Sequence, residues 1–208
     1  MTGQSETLLL IVDVQNDFMP GSSLAVAGGD EIIPVVNKLV GQFDNVALTQ
    51  DWHPAGHTSF AASHPGKVPY DTILLPYGLQ TLWPNHCVQG TAGADFHRDL
   101  EATRAQLVIR KGYHPDIDSY SAFFAADGTT ATGLAGYMRE RGFSHIVIAG
   151  LATDFCVAWS ALDARRLGFS VTVVEDACRG IDVDGSLAAA WRQFQQAGVE
   201  RVASALLD

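Results

Sequence analysis

Four short runs of apolar residues along this chain each lead into a polar group able to do chemistry. Leu8-Leu9-Leu10-Ile11-Val12 ends on Asp13, and Val46-Ala47-Leu48-Thr49 runs toward Asp51 and His53. Leu107-Val108-Ile109 precedes Lys111, and Ile146-Val147-Ile148-Ala149 precedes the turn that carries Cys156. Runs of this length without polar alternation fit strands buried on both faces, as in a parallel sheet. The pattern predicts strands over 8–13, 46–50, 105–111, 144–149 and 170–175, and a short last one near 200–204. Helices are predicted near 30–41 and over 131–142, 154–168 and 186–197. In the last of these, Leu187, Trp191 and Phe194 share one face, and Ala158, Ala161, Leu162 and Ala164 suit a closely packed helix. The fold expected is α/β: one doubly wound domain over 1–208, with a mainly parallel sheet of about six strands, right-handed crossovers and helices on both faces. In such sheets ligands bind outside the carboxyl ends of the strands, so groups at four strand ends can converge on one site.

The alternation stops after Asp51 and resumes near Ala105. An excursion of that length, at about 52–104, is too long for an ordinary connection and usually carries function. It holds five of the seven histidines (His53, His57, His64, His86 and His97) and five of the eight prolines. The prolines favour an ordered loop that presents side chains.

Composition narrows the partners. The 208 residues are 47% hydrophobic and 17% charged, as in a globular domain, with 13 basic and 23 acidic residues for a net charge of -10. That balance, without a Lys or Arg cluster, argues against nucleic acid and anionic membranes. No apolar run is long enough to span a bilayer, and the polar first residues lack a signal-peptide pattern. Cys87, Cys156 and Cys178 form no Cys-x-x-Cys pair, which favours a reduced, cytoplasmic setting. The sequence leaves homo-oligomerisation open.

Gly150-Leu151-Ala152-Thr153-Asp154-Phe155-Cys156 reads as strand end, tight turn and helix start, with Thr153 or Asp154 as cap. Cys156 is then expected in a first helical turn, where free amides and the helix dipole lower a thiol pKa and can hold an oxyanion. A lone cysteine there is more often a small buried hydrophobe. Asp13 and Lys111 at neighbouring strand ends reverse that reading: a carboxylate can move the thiol proton, and an ammonium can stabilise thiolate and oxyanion. Cys87 and Cys178 read as packing residues.

Asp51-Trp52-His53 places two metal-ligand types on one side of a strand end. With His57 and His86 they suit Zn²⁺ first, and Fe²⁺ or Mn²⁺ as alternatives. His64, His97, His114 and His145 read as surface or structural. Phe18, Trp52, Trp83, Tyr120 and Phe123 are candidates for the wall of a flat-ring pocket.

Six stretches, in order, carry a family resemblance: Val12-Asp13-Val14-Gln15-Asn16-Asp17-Phe18, Asp51-Trp52-His53-Pro54, Trp83-Pro84-Asn85-His86-Cys87-Val88-Gln89-Gly90-Thr91, Lys111-Gly112, Asp118-Ser119-Tyr120-Ser121-Ala122-Phe123-Phe124 and Gly150-Leu151-Ala152-Thr153-Asp154-Phe155-Cys156-Val157. Over nearly its whole length the chain resembles the nicotinamidases, also called pyrazinamidases, of the isochorismatase-like cysteine hydrolases. The resemblance implies a catalytic triad of Asp13, Lys111 and Cys156. It implies a divalent metal on Asp51, His53 and His86 that holds the substrate's ring nitrogen, with His57 a ligand in some members and an outer group in others. It further implies a cis peptide between Leu151 and Ala152, an oxyanion site at the amides of Ala152 and Cys156, and ring contacts from Phe18, Trp83 and Tyr120. Phe155 stands where tyrosine or histidine is expected and Ala92 where proline is expected; these bear on ring affinity and loop stiffness.

The expected activity is hydrolysis of nicotinamide to nicotinate and ammonia, and of pyrazinamide to pyrazinoate, through a cysteine thioester in NAD salvage. One rival is a metal-independent amidase of the same family acting on another amide or carbamoyl compound, against which the Asp51, His53 and His86 set speaks. Another is a non-catalytic ring or nucleotide binder. It lacks support at the first strand, which is followed by Val14-Gln15-Asn16-Asp17 and not by a glycine-rich phosphate turn.

Overall fold

The computed structural model describes residues 6–207. Six strands make one sheet: Thr7–Val12 (β1), Val46–Asp51 (β2), Leu107–Lys111 (β5), His145–Leu151 (β6), Ser170–Arg179 (β7) and Glu200–Val202 (β8). Their spatial order is β5-β2-β1-β6-β7-β8, and every neighbouring pair is parallel. The chain therefore winds outward from β1 through β2 to β5, then restarts on the other side of β1 with β6. The reversal falls between β1 and β6, and the crevice beyond their carboxyl ends is where a doubly wound sheet takes its ligand.

β1 is buried at every position because it packs on both faces. Leu8, Leu10 and Val12 join Ile146, Ile148 and the helices Leu134–Glu140 (α2), Ala158–Arg166 (α3) and Ser186–Ala197 (α4) in one core. Leu9 and Ile11 point the other way, joining Val147, Ala149 and the helix Ile33–Gln42 (α1). Each such leucine or isoleucine contributes about 1.5–3 kcal/mol through burial. The expected fold is therefore observed, with three helices on one face and α1 plus the excursion on the other.

Three expectations need correction. The excursion is not free of regular structure: Thr72–Leu75 (β3) and Gly78–Thr81 (β4) form an antiparallel hairpin around Pro76-Tyr77. Its apolar side chains do not alternate cleanly, and Leu74 and Leu79, paired across the hairpin, are exposed. The helix expected over 154–168 is split. Thr153–Val157 forms a wide π-type turn, with the Val157 amide on Ala152 O at 3.1 Å, and α3 starts only at Ala158. Neither Thr153 nor Asp154 caps it; Asp154 instead accepts the amides of Ile181 and Asp182 and the Ser186 hydroxyl, fixing the entry to α4. Lastly, β7 runs on to Arg179, beyond the expected 175.

Gly150 sits where β6 passes the end of β1. A Cβ there would land on the Val12 backbone, so only glycine lets the two strands stay paired up to the crevice. No helix among the described residues is long and apolar enough to cross a membrane.

At the opposite end of the sheet His145 is held between β1 and β7, with Nε2 2.9 Å from Thr172 Oγ1. Burial pulls its pKa down despite the nearby Glu200 carboxylate. The folded form thus favours the neutral ring, and stability is lost as pH falls through the unfolded-state value of about 6.5. Urea unfolding at pH 7.5 and 5.5 should show a smaller loss of stability for His145→Asn than for the native chain.

Candidate active site

Asp13, Asp51, Lys111 and Cys156 come from four different elements and meet beyond the strand ends. Lys111 closes β5, is 1% exposed, and its ammonium is the hub. Its Nζ lies 2.6 Å from Asp51 Oδ1, 2.8 Å from Asp13 Oδ2 and 3.3 Å from Cys156 Sγ, and donates to Ser119 O at 3.3 Å. The three sequence-predicted catalytic residues are therefore brought together, and Asp51 joins them through the same lysine.

Charge in this dry cluster is unevenly shared. Burial raises the Asp51 pKa, but Lys111 and His53 outweigh it, so its carboxyl stays well below the usual range and keeps its charge. Burial also dominates at Asp13, and there, with Asp51 nearby, it wins over Lys111 and pushes the pKa up. Burial pulls Lys111 down, yet Asp13 and Asp51 hold it well above its ordinary value. The Cys156 thiol is pushed well up, by burial first, with Lys111 opposing and Asp13 and Asp51 adding. At an effective dielectric of about 20, an ammonium at this distance favours the thiolate by about 5 kcal/mol, while each charged carboxylate within reach disfavours it by about 3.5 kcal/mol or more. Two carboxylates outweigh one ammonium. Cys156 does lie in a first helical turn, the π-type turn Thr153–Val157 that runs into α3, but the expected lowering of its thiol pKa is corrected, because burial and the two carboxylates push it up.

Asp13 stands at φ 49, just past β1, with its backbone turned out of the ladder. Thr49 on β2 takes over: its Oγ1 accepts the Asp13 amide at 3.1 Å and donates to Oδ1 at 2.6 Å. Oδ2 accepts no hydrogen bond of good geometry and faces the lysine ammonium. Gln15, fully buried, pairs with both backbone groups of Asp51 at 2.8 Å each. Nothing in residue type or spacing singles out Thr49 or Gln15; each looks like an ordinary strand or loop residue.

The second constellation shares Asp51. Its Oδ2 is 3.4 Å from His53 Nε2 and 3.5 Å from His86 Nε2. The far ring nitrogens are taken: His53 Nδ1 pairs with Gly112 O and His86 Nδ1 with Pro84 O, both at 2.9 Å. Carbonyl partners place a proton on Nδ1 and leave Nε2 as a lone-pair donor, the tautomer and aim a metal ligand needs. Spacings of 3.4–3.5 Å are those of neighbouring ligands around an ion about 2.0–2.1 Å from each. Asp51, His53 and His86 thus fit a divalent metal.

His57 stacks behind His53, with ring centroids 4.3 Å apart, and both its nitrogens are engaged: Nδ1 with Ser59 Oγ at 2.7 Å, Nε2 with His114 O at 3.0 Å. Burial, then the neighbouring His53, lowers its pKa to about 4. A neutral ring with both nitrogens bonded packs behind the ligand and is not one of the three. His53, His57 and Asp118 also lie close together, but that grouping offers no free nitrogen on His57.

Between the two constellations lies a cleft. Phe18, Trp83, Tyr120 and Phe155 wall it, the Trp83 and Phe155 rings meeting edge to face at 4.8 Å. The three expected aromatics are in place, and Phe155, the departure noted in the sequence, completes the wall. Trp52 and Phe123 do not line it. Leu24, Asp118 and Ile181, not singled out from the sequence as pocket residues, do. Gln80 on β4 donates to Asp118 Oδ2 at 2.7 Å and to Tyr120 Oη at 3.0 Å, so the hairpin braces the wall. The Leu151–Ala152 peptide is cis, and Ala152 and Cys156 both line the cleft.

A doubly wound α/β domain with a buried cysteine, lysine and aspartate at its switch point defines the class. The model of the isochorismatase domain matches residues 7–205, and the chain belongs to that family. A nicotinamidase of Acinetobacter baylyi is 57% identical over 94% of this chain and 92% of its own. The structure of an Acinetobacter baumanii nicotinamidase/pyrazinamidase superposes with a TM-score of 0.97 at 59% identity, covering all of both chains. A pyrazinamidase of Pyrococcus horikoshii in complex with zinc superposes at 0.78, with 36% identity over 95% of this chain and 99% of that one.

Gly112, at φ 67, lies against the imidazole of His53, and a Cβ would overlap that ring. Gly112→Ala should cost about 1–3 kcal/mol in urea unfolding, since it adds both backbone strain and a clash. An unchanged midpoint would show that the His53 ring can move aside freely.

Proposed function

We propose that this protein is a metal-dependent amidohydrolase that converts nicotinamide to nicotinate and ammonia, and pyrazinamide to pyrazinoate. The observation that carries this reading is the Asp13–Lys111–Cys156 cluster, opening onto an aromatic cleft beside the Asp51, His53 and His86 donors. The high identity to a nicotinamidase supports the substrate. The excursion at 52–104 serves as the metal-binding insertion, and the reaction belongs to NAD salvage in the cytoplasm.

Asp51, His53 and His86 would hold Zn²⁺, or Fe²⁺ or Mn²⁺, which when bound anchors the ring nitrogen of the substrate and adds positive charge near the thiol. Phe18, Trp83, Tyr120 and Phe155 hold the ring and exclude water from the carboxamide. Cys156 gives its proton to Asp13 Oδ2, and the sulfur attacks the carboxamide carbon. The oxyanion so formed takes hydrogen bonds from the amides of Ala152 and Cys156. As the tetrahedral adduct collapses the C–N bond breaks, and Asp13 returns the proton to the leaving nitrogen, giving ammonia and a thioester. A water then yields a proton to Asp13 and attacks the thioester. The C–S bond breaks, Asp13 returns its proton to the sulfur, and the product leaves as the carboxylic acid, which gives up its remaining proton to water to become nicotinate. Lys111 stays charged throughout and offsets the negative charge that moves between sulfur and oxygen.

Ammonia release from nicotinamide should fall when the protein is treated with a chelator and return with Zn²⁺, Fe²⁺ or Mn²⁺. No release under any of these conditions would overturn the reading. Cys156→Ala should abolish turnover with metal content unchanged, whereas His86→Ala should lower the metal bound per chain as measured by elemental analysis.

A further inference from the structure

We infer that Thr49 is a positioning residue that commits Asp13 to a single working oxygen, so that Oδ2 alone exchanges protons with the thiol and the leaving nitrogen. The inference rests on the hydrolysis proposed above and adds a residue that neither the chemistry of the triad nor that of the metal donors requires.

A carboxylate used as a proton carrier has two nearly equivalent oxygens and a freely rotating bond. In this site they are made inequivalent. Oδ1 receives the Thr49 hydroxyl at 2.6 Å, and Thr49 Oγ1 in turn accepts the Asp13 amide at 3.1 Å. The two bonds close a small ring through the Asp13 side chain and fix its rotation. Oδ2 is left without a hydrogen bond of good geometry, 2.8 Å from the lysine ammonium. One carboxylate oxygen of Asp13 and the sulfur of Cys156 lie within 4.8 Å of each other. Thr49 is itself fully buried, so no water competes for either bond. Only serine shares its ability to accept the amide and donate to the carboxylate from this short reach. Valine has the same shape without the hydroxyl and would leave the buried Asp13 amide without its acceptor.

The test compares Thr49→Val, Thr49→Ala and Thr49→Ser with the native protein, all metal-loaded, on nicotinamide. Thr49→Val should lower kcat by about 10- to 100-fold, the size expected for losing one hydrogen bond to a carboxylate, with KM within about threefold. Thr49→Ser should recover most of the loss, and Thr49→Ala stands in if the valine variant does not fold. Metal content and melting temperature are recorded for each. A kcat for Thr49→Val within about threefold of native, or equal losses in the serine and valine variants, would overturn the inference. A second readout needs no substrate: alkylation of Cys156 by iodoacetamide, against a Cys156→Ala background for the other two thiols. It should slow in Thr49→Val and recover in Thr49→Ser, and labelling at the native rate or faster would count against the inference. If the native protein does not hydrolyse nicotinamide, the proposed function fails, and alkylation still decides the role of Thr49.

Discussion

The site depends on one buried ammonium. Lys111 carries its charge where almost no water reaches, and isolation of a charge in such a place costs several kcal/mol unless partners surround it. Asp13, Asp51, the Ser119 carbonyl and the Cys156 sulfur are those partners. They come from the ends of β1 and β2, from the loop after β5 and from the turn after β6. One cation therefore ties together all the segments that meet at the switch point, and removing it would leave two buried carboxylates facing each other.

The same arrangement divides labour between two carboxylates of identical chemistry. Asp51 is drawn toward two imidazoles as well as the lysine, stays ionised, and is suited to face a cation. Asp13 has the lysine, one hydroxyl and a thiol for company, and its pKa is raised by burial. A carboxyl whose pKa is raised beside a buried thiol is a stronger acceptor for the thiol proton than an ordinary aspartate. Neither property is visible in the residue types; both follow from which neighbours the fold supplies.

Much of this was legible in the sequence because buried parallel strands are written as unbroken apolar runs, and each polar group following such a run lies at the same edge of the sheet. Asp13, Asp51, Lys111 and Cys156 were found in that way. What was not legible belongs to conformations without a period. The wide turn at Thr153–Val157 has the composition of a helix start, and only the amide of Val157 reaching back to Ala152 distinguishes it. The hairpin of β3 and β4 lacks a clean inside and outside, although two short runs around Pro76-Tyr77-Gly78 are a turn signal that could have revealed it. His57 carried the right residue type in the right loop. Its exclusion from the donor triangle comes from Ser59 and the His114 carbonyl, partners that no spacing rule anticipates.

Two turned backbones show how the fold aims functional groups. Asp13 at φ 49 and Cys87 at φ 45 both occupy the left-handed region without being glycine, at a cost of about 1–2 kcal/mol each. In both, the amide that leaves regular pairing is claimed by a side chain: Thr49 Oγ1 takes that of Asp13, and Asp17 Oδ2 takes that of Cys87 at 2.7 Å. A buried amide left unbonded would cost about as much again, so each side chain offsets the penalty and removes the alternative conformations at once. Asp17 can do this only because Gly93 has no Cβ to collide with its carboxylate. The outcome at the first turn is an aspartate directed at the lysine ammonium, and at the second a His86 ring directed at Asp51. The stretch after β1 thus supplies Asp13 itself, Gln15 to clamp the Asp51 backbone and Asp17 to hold the turn beside His86. A single loop that sets both constellations makes their relative placement a property of one short segment, which is the constraint a substrate held at one end and cleaved at the other imposes.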